Sequence, residues 1–397
     1  MSAAPKALQT LVERFDPDIF DAPRGAARVR LEVAGRETWD VVIAGRRARL
    51  ERAAGVADTL LRADEATWRR LAEELPAGME AFRAGRLTVR RNLHLGVGLL
   101  AATSGATEPG RLEFDRVRTK AGTLSLLRAG RGEPVVMLHG LGASKASFLP
   151  TVAALAYSFR TIVVDLPGHG DSAKPLAAPY DARWFARSVV ALLDALELER
   201  AHLIGNSMGG RVALEVGLSY PERVARIALL APAMAWRRER RWAPFLRLVR
   251  PELGLFQPTP RAAVEGVVRR LIPGARDGWT AAGVDEFLRS YMTARGRAAF
   301  YAALRNIYLD EPDGPNGFWT RLPSLEPETL FIWGRRDTLV PIGFARHVTD
   351  ALPAASHLEL DCGHVPQLER PREAHAAIRD FLARGSTRAP RRRRAAA

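Results

Sequence analysis

The sequence predicts an α/β fold: a mostly parallel sheet with a helical cap, preceded by a small α+β unit. Three observations carry that expectation. Short runs such as Val135–Leu138, Thr161–Asp165, Ala201–Ile204, Ile227–Leu230, Leu330–Gly334 and Ser356–Leu360 read as strands, most leading into a loop with glycine or polar residues. Gly205-Asn206-Ser207-Met208-Gly209 places a serine between two glycines at the exit of one of them, and Met208 to Tyr220 then carries helical spacing as far as Pro221. Residues 1 to about 104 show strands first and helices afterwards, the order of an α+β unit.

A strand, a one-residue turn and a helix force the turn residue into strained geometry with its side chain pushed outward. Glycine is wanted two residues to either side because side chains there would collide with the strand or the helix. Two further groups follow in the chain. Asp337 lies three residues beyond Gly334, and His364 follows the strand Ser356–Leu360 through Asp361-Cys362-Gly363. Serine is a poor nucleophile at neutral pH; it needs a neutral imidazole to take its proton, and the imidazole needs a carboxylate to fix its tautomer. Ser207, His364 and Asp337 are the candidates for those roles. A fourth piece is Val135-Val136-Met137-Leu138-His139-Gly140-Leu141-Gly142, a strand running into a turn whose backbone N–H groups face a cavity. The amides of Leu141 and Met208 are the candidate oxyanion donors, with His139 ordering the loop.

Leu166-Pro167-Gly168-His169-Gly170-Asp171-Ser172 follows the strand Thr161–Asp165. With HGLG, LPGHGDS, GNSMGG, WGRRD and GHVPQLERP, residues from about 113 to 384 resemble α/β-hydrolases of the esterase, lipase and carbon–carbon hydrolase branch. Plainer readings stand beside each residue. Ser207 can be a tight-turn residue only. Asp361 competes with Asp337 for the imidazole, although a strand-end carboxylate there can simply brace the loop. The strand Ile227–Leu230 runs into Ala231-Pro232-Ala233 and offers no carboxylate. His169, His202, His347, His357 and His375 read as surface or packing residues, and Cys362 as a small loop filler.

A serine at the elbow, rather than the aspartate of related dehalogenases and epoxide hydrolases, makes acyl transfer the default: attack on a carbonyl, an acyl-enzyme, then water activated by His364. The expected reaction is hydrolysis of hydrophobic carboxylic esters. GNSMGG is also similar to hydrolases that cleave carbon–carbon bonds in aromatic ring-fission products. Those relatives usually carry a tryptophan directly after the histidine, where this chain has Val365. A lipid-binding or transfer protein with a vestigial hydrolase half is the third alternative. The resemblance implies no cofactor and no metal.

At 397 residues the chain exceeds what one core usually organises, so two units are expected. A single cysteine excludes internal disulfides and fits a reducing, cytoplasmic setting. Met1 to Glu13 has no apolar core of the kind a secretion signal needs. The net charge of +15 invites a nucleic-acid or anionic-membrane partner, but only Lys6, Lys120, Lys145 and Lys174 are lysine and the rest of the 59 basic residues are arginine. That skew suits coding bias, and no nucleic-acid module is visible.

Within residues 1–104, Ala27–Val33, Glu37–Ile43 and Ala48–Arg52 are expected as strands, Trp68–Leu75 and Gly78–Phe82 as helices, Leu87–Val89 as a strand and Leu93–Ala102 as an apolar helix. Thr38–Ile43, Gly55–Leu60 and Ala81–Val89 resemble the sterol-carrier-protein-2-like lipid-transfer domain, which implies an apolar tunnel. That family usually continues with Gly-Asp, where this chain has Arg90-Arg91-Asn92. A packed α+β unit without a cavity is the alternative. Residues 105–112 read as a linker and 385–397, with four consecutive arginines, as a disordered basic tail.

Residues from about 234 to 323 are expected to form the helical cap. Trp236, Trp242, Phe245, Leu246 and Val249 alternate there with Arg237, Arg238, Arg240, Arg241, Arg247 and Arg250. The pattern reads as a cap helix with a solvated arginine face, or as an interfacial lid that touches membrane lipid. Trp279, Phe287, Tyr291, Phe300, Tyr301, Tyr308 and Trp319 predict a greasy roof over the serine, suited to a hydrophobic ester or lipid substrate.

Overall fold

The structure is a computed structural model. It describes residues 4–384 except 23–24, 36–37, 74–79, 83 and 108, and between 235 and 278 it describes only 245, 248, 250–252, 260, 262–263 and 265–266. The basic tail therefore lies outside the described residues. So does most of the arginine- and tryptophan-rich stretch; within it Phe245 is exposed.

The N-terminal unit begins with helix α1 (Lys6–Glu13), which the sequence reading did not anticipate. Strands β1 (Ala26–Val33), β2 (Thr38–Ala44), β3 (Arg47–Arg52), β4 (Thr59–Ala63) and β5 (Leu87–Arg90) form one sheet in the order β3-β2-β1-β4-β5. This sheet is mixed: β1 pairs antiparallel with β2 and parallel with β4. Along β1 every second residue is buried, so Ala27, Val29, Leu31 and Val33 face the core while arginines face outward. Helices α2 (Glu65–Glu73) and α3 (Leu93–Ala102) complete the unit.

The second sheet contains β6 (Glu113–Thr119), β7 (Gly122–Ala129), β8 (Pro134–Leu138), β9 (Arg160–Val164), β10 (Ala201–Asn206), β11 (Val224–Leu230), β12 (Thr329–Gly334) and β13 (Ser356–Leu360). Their order is β13-β12-β11-β10-β8-β9-β7-β6. The pairings from β13 through to β9 are parallel, and only β7 with β9 and β6 with β7 are antiparallel, as expected. Central strands are buried on both faces and so read as continuous apolar runs.

Successive side chains point to opposite faces. Val135, Met137, Val163 and Ile332 pack with helices α4 (Leu149–Leu155) and α10 (Pro371–Ala383), while Val136, Leu138, Val164 and Phe331 pack with α5 (Ala182–Ala195), α6 (Met208–Ser219) and α9 (Gly343–Ala351). The first of these clusters also contains Leu8, Val29, Leu61 and Leu99, so the core of the N-terminal unit is continuous with one face of the larger sheet. Helices α7 (Trp279–Tyr291) and α8 (Ala294–Tyr308) lie in the segment expected as the cap. Among the described residues, no helix is long and apolar enough to cross a membrane.

Candidate active site

Ser207 stands between β10 and α6 at φ +53° and ψ −117°, a conformation rarely adopted by a residue with a Cβ. Close packing on both sides imposes it. A Cβ on Gly205 would lie 2.5 Å from Gly209 O, and one on Gly209 would lie 2.0 Å from Leu138 O. The strained turn is pinned by Ser207 N donating to Leu230 O at 3.0 Å and Ala233 N donating to Ser207 O at 2.8 Å. This outlier carries the expected elbow, and strain of this kind concentrates at functional sites.

Asp337 and His364 meet. His364 Nδ1 and Asp337 Oδ2 are 2.7 Å apart, and the carboxylate is fully buried. Its other oxygen accepts from Leu339 N at 2.7 Å and Val340 N at 2.9 Å, so the loop itself aims Oδ2 at the ring. A carboxylate acceptor requires the proton on Nδ1 and leaves Nε2 as the basic nitrogen. Asp361 is exposed and pairs with Arg336 at 3.0 Å, so it braces the loop instead of serving the imidazole.

The histidine loop is tied down on both sides. Glu369 accepts from Gly363 N at 2.9 Å and from Val365 N at 3.1 Å. Asn206 Nδ2 donates to Leu230 O at 2.9 Å and to His364 O at 3.3 Å, which brings the loop beside the elbow. The nearest polar partner of Ser207 Oγ is the hydroxyl of Tyr308, at 3.5 Å. A hydrogen bond between Ser207 and His364 is not made among the described residues, so the elbow and the His–Asp pair adjoin in a resting arrangement. Catalytic hydrogen bonds often tighten only when substrate binds.

The turn after β8 faces the elbow: a Cβ on Gly140 would touch Ser207 Cβ at 3.3 Å. His139 orders this turn, as expected. Its Nε2 accepts from Leu166 N at 2.9 Å, so Nδ1 carries the proton and donates to Gly140 O at 2.8 Å. A trans peptide is planar with its C=O and N–H opposed. Holding Gly140 O on His139 therefore directs Leu141 N–H the opposite way. Burial depresses the basicity of His139 and keeps it neutral. Met208 opens α6, where its amide has no partner within the helix.

The roof is aromatic. Phe287 stacks on Tyr291 at 5.0 Å and meets Phe300 edge-on at 5.5 Å, and Tyr291 and Tyr301 share a hydrogen bond of 2.7 Å. Trp319 departs from the expectation: it lies parallel to Phe344 at 6.2 Å in the core, away from this cluster. The side chain of Trp279 is outside the described residues. Tyr308 is more than a roof residue, because its hydroxyl reaches the serine. Burial pushes this phenol up to about 12, so it stays protonated at neutral pH. Its place is secured from α6: Arg211, one turn beyond Ser207, pairs with Asp310, with Glu215 at 3.0 Å, and lies over Phe318 at 4.4 Å.

Cys362 is buried and its thiol is pushed up to about 12, first by burial, which leaves it a filler. His169 is buried, His202 faces Glu133 at 3.2 Å, His357 accepts from Trp333 Nε1 at 3.0 Å, His375 meets Thr151 at 3.0 Å and His347 packs on Trp319. None of these histidines joins the elbow. Glu369, Asn206 and the Tyr308 hydroxyl were missed as site residues. The first two stand inside GHVPQLERP and GNSMGG, where the motif was the signal, whereas nothing local marked Tyr308.

A strained serine at a strand–helix turn, beside a carboxylate-bound histidine and two candidate amide donors, is the arrangement of a hydrolase with a nucleophile elbow. The chain belongs to the α/β hydrolase fold family, whose match covers residues 133–371. It is 31% identical over 278 residues to a 2-hydroxy-6-oxo-6-phenylhexa-2,4-dienoate hydrolase of Burkholderia cepacia, covering 65% of this chain and 90% of that one. It is 30% identical over 295 residues to a 2-hydroxy-6-oxononadienedioate/2-hydroxy-6-oxononatrienedioate hydrolase of Paraburkholderia xenovorans, covering 70% and 98%. Among solved structures, a bacterial membrane phospholipase A superposes with a TM-score of 0.56 at 27% identity, covering 68% of this chain and 86% of that one.

Proposed function

We propose that this chain is a serine hydrolase that attacks a carbonyl carbon through Ser207. His364 takes the serine proton at Nε2 and later activates water, Asp337 holds the ring, and the amides of Leu141 and Met208 receive the developing negative charge. The observation that carries this reading is the 2.7 Å pair between His364 and Asp337 on a loop tied to the elbow by Asn206.

The two relatives described above are named as hydrolases of 2-hydroxy-6-oxo dienoates and trienoates, and this supports a vinylogous diketone as the first substrate class. Addition of Ser207 to the ketone gives a tetrahedral adduct. Once the 2-enol proton has moved to the carbon beside the ketone, collapse of the adduct breaks the carbon–carbon bond and delocalises the electron pair onto the 2-oxygen as a dienolate, which then takes a proton. Water then releases the acyl group as an acid. Hydrophobic carboxylic esters are the second reading, favoured by Val365 after the histidine and by likeness to the phospholipase. Either substrate would place an apolar group under Phe287 and Phe300.

The lipid-carrier reading of residues 1–104 has weaker support, because Val29, Val41, Leu61, Trp68 and Leu99 are buried within one packed cluster. A cytoplasmic location stays part of the proposal.

The test offers wild type and Ser207→Ala both 2-hydroxy-6-oxo-6-phenylhexa-2,4-dienoate and a p-nitrophenyl ester series. Wild type should turn over the diketone faster, and the alanine variant should lose nearly all activity on both while unfolding at the same temperature. Activity that survives in the variant rejects Ser207. Ester turnover without diketone turnover moves the assignment to the second reading.

A further inference from the structure

Between β5 and α3 the chain turns through Arg90, Arg91 and Asn92. Asn92 caps α3 by accepting from Leu95 N at 3.1 Å. Arg91 sits at φ +72°, a left-handed conformation that glycine adopts freely and a side chain resists. What this strained turn supports lies on the cap. Arg91 N donates to Asp285 Oδ2 at 2.8 Å and Arg90 Nε donates to the same oxygen at 2.7 Å. Leu93 N, at the open amide end of α3, donates to Glu286 Oε1 at 2.7 Å. Asp285 and Glu286 are both buried on α7.

The same turn of α7 is also fastened to the catalytic loops. Glu286 Oε2 accepts from Ser144 Oγ at 3.1 Å, two residues beyond Gly142. Arg289 bridges Glu286 at 3.0 Å and Asp171 at 2.6 Å, and Asp171 in turn faces Lys145 at 3.3 Å and His94 of α3 at 3.7 Å. Phe287, next in sequence to the clamped acids, presses on the turn that carries Leu141: a Cβ on Gly142 would lie 2.5 Å from its ring.

We propose that the N-terminal unit is the fixed anchor of the cap, with Arg90, Arg91 and the amide end of α3 acting as positioning groups that set, through Asp285 and Glu286, where Phe287 and the aromatic roof stand over Ser207. The bulk of the apolar group accepted beside the scissile carbonyl is then read by a roof that residues 1–104 hold in place. Two buried carboxylates explain why the anchor is strict: once a partner is removed, each must find water or another cation, and the helix that carries it shifts. Apolar contacts alone would leave α7 free to slide, because they carry no direction. The substrate side of this inference rests on the Ser207 reading, whereas the anchoring side does not.

Full-length Arg90→Ala, Asp285→Ala and the double variant test it, with Arg90→Lys as the conservative control. Two readouts separate its parts. Amide hydrogen exchange of residues 284–291 and 140–145 should rise by about tenfold in Arg90→Ala and by at least as much in Asp285→Ala, which also releases Arg91 N, and the double should match Asp285→Ala, since removing the acid already removes the Arg90 contact. KM for p-nitrophenyl decanoate should rise by about fivefold or more while kcat for p-nitrophenyl acetate stays within about twofold, because only the long acyl group meets the roof. Arg90→Lys should keep most of the protection. Unchanged exchange in 284–291, or single effects that add in the double, overturns the anchor. Raised exchange with equal changes on both esters overturns the link to substrate bulk. If Ser207→Ala proves fully active, the proposed function has failed, and the exchange readout still decides the anchor.

Discussion

Gly209→Ala probes the packing beneath the elbow. The added Cβ would lie 2.0 Å from Leu138 O, 2.4 Å from Leu138 C and 2.7 Å from His139 O, and all three are backbone atoms. Carbon–oxygen contacts relax to roughly 3.3 Å, so α6 must move off β8 by about 1 Å or more. No side chain can rotate away to absorb that movement. Overpacking should cost about 1–3 kcal/mol of stability, and an ångström of misplacement at the nucleophile should lower kcat/KM by about 100-fold. The control is Gly283→Ala in the middle of α7, where a Cβ meets nothing within 4 Å. That change should raise stability by about 0.5–1 kcal/mol, through helix propensity. Thermal unfolding, turnover of the better of the two proposed substrates, and labelling of Ser207 by a fluorophosphonate probe form the assay. A Gly209→Ala protein with wild-type Tm and wild-type turnover would refute the claim that backbone contact at 209 sets the elbow.

Three other outcomes are expected. Tyr308→Phe removes only the hydroxyl near Ser207 and should lower kcat by about 3- to 10-fold, the worth of one neutral hydrogen bond, with an unchanged melting temperature; unaltered kcat means the phenol is a bystander. Lys145→Met leaves the buried Asp165 carboxylate, which Lys145 Nζ meets at 2.6 Å, without its cation, and should cost about 3–5 kcal/mol in urea unfolding; a loss under about 1 kcal/mol would show that water compensates the acid. Burial holds His139 and His169 below the ordinary histidine range, His169 at about 3. Between that value and the unfolded value of about 6.5 the unfolded chain binds the extra proton, so the contribution of the His169 ring is complete above about pH 6.5 and falls by about 1.4 kcal/mol per pH unit as the solution is acidified, and His139 acts in the same direction. His169→Gln should flatten the slope of urea midpoints between pH 7 and 5 relative to wild type, and identical slopes would contradict a buried neutral ring.

What could be read from the chain was local. The β10–Ser207–α6 turn, the Asp337 loop and the His364 loop were each legible because a handful of adjacent residues fixes the geometry: glycines where backbones touch, a strand before, a helix or loop after. α3 was legible end to end, its apolar run framed by Asn92 and Thr103. By contrast, β4 (Thr59–Ala63) is a short strand whose place beside β1 depends on parallel pairing with Val29–Val33, which no neighbouring residue announces. The positive φ of Arg91 was illegible for the same reason: its support is Asp285, far along the chain. The Tyr308 hydroxyl reaches Ser207 only because Arg211 and Asp310 fasten the end of α8 to α6. Trp319 misled, since an aromatic in a cap segment looks the same whether it faces substrate or Phe344.

Charge, rather than bulk, defines the register of the cap. α7 presents Phe287 to Gly142, but a ring against a glycine tolerates sliding by a good fraction of an ångström. The directional contacts are Asp285 on Arg90, Glu286 on Leu93 N and Ser144, and Arg289 on Asp171. Buried ion pairs add little net stability when desolvation is counted, so a chain selected for stability alone would fill this seam with leucine. Together these contacts instead tie α7 to three elements that must agree in position: the N-terminal turn, the loop bearing Leu141, and the loop after β9. The substitution pair Asp285→Leu with Arg90→Leu should therefore melt at or above the wild-type temperature while losing discrimination between short and long acyl esters. A stable double variant that keeps that discrimination would show that the aromatic roof finds its place without the charges.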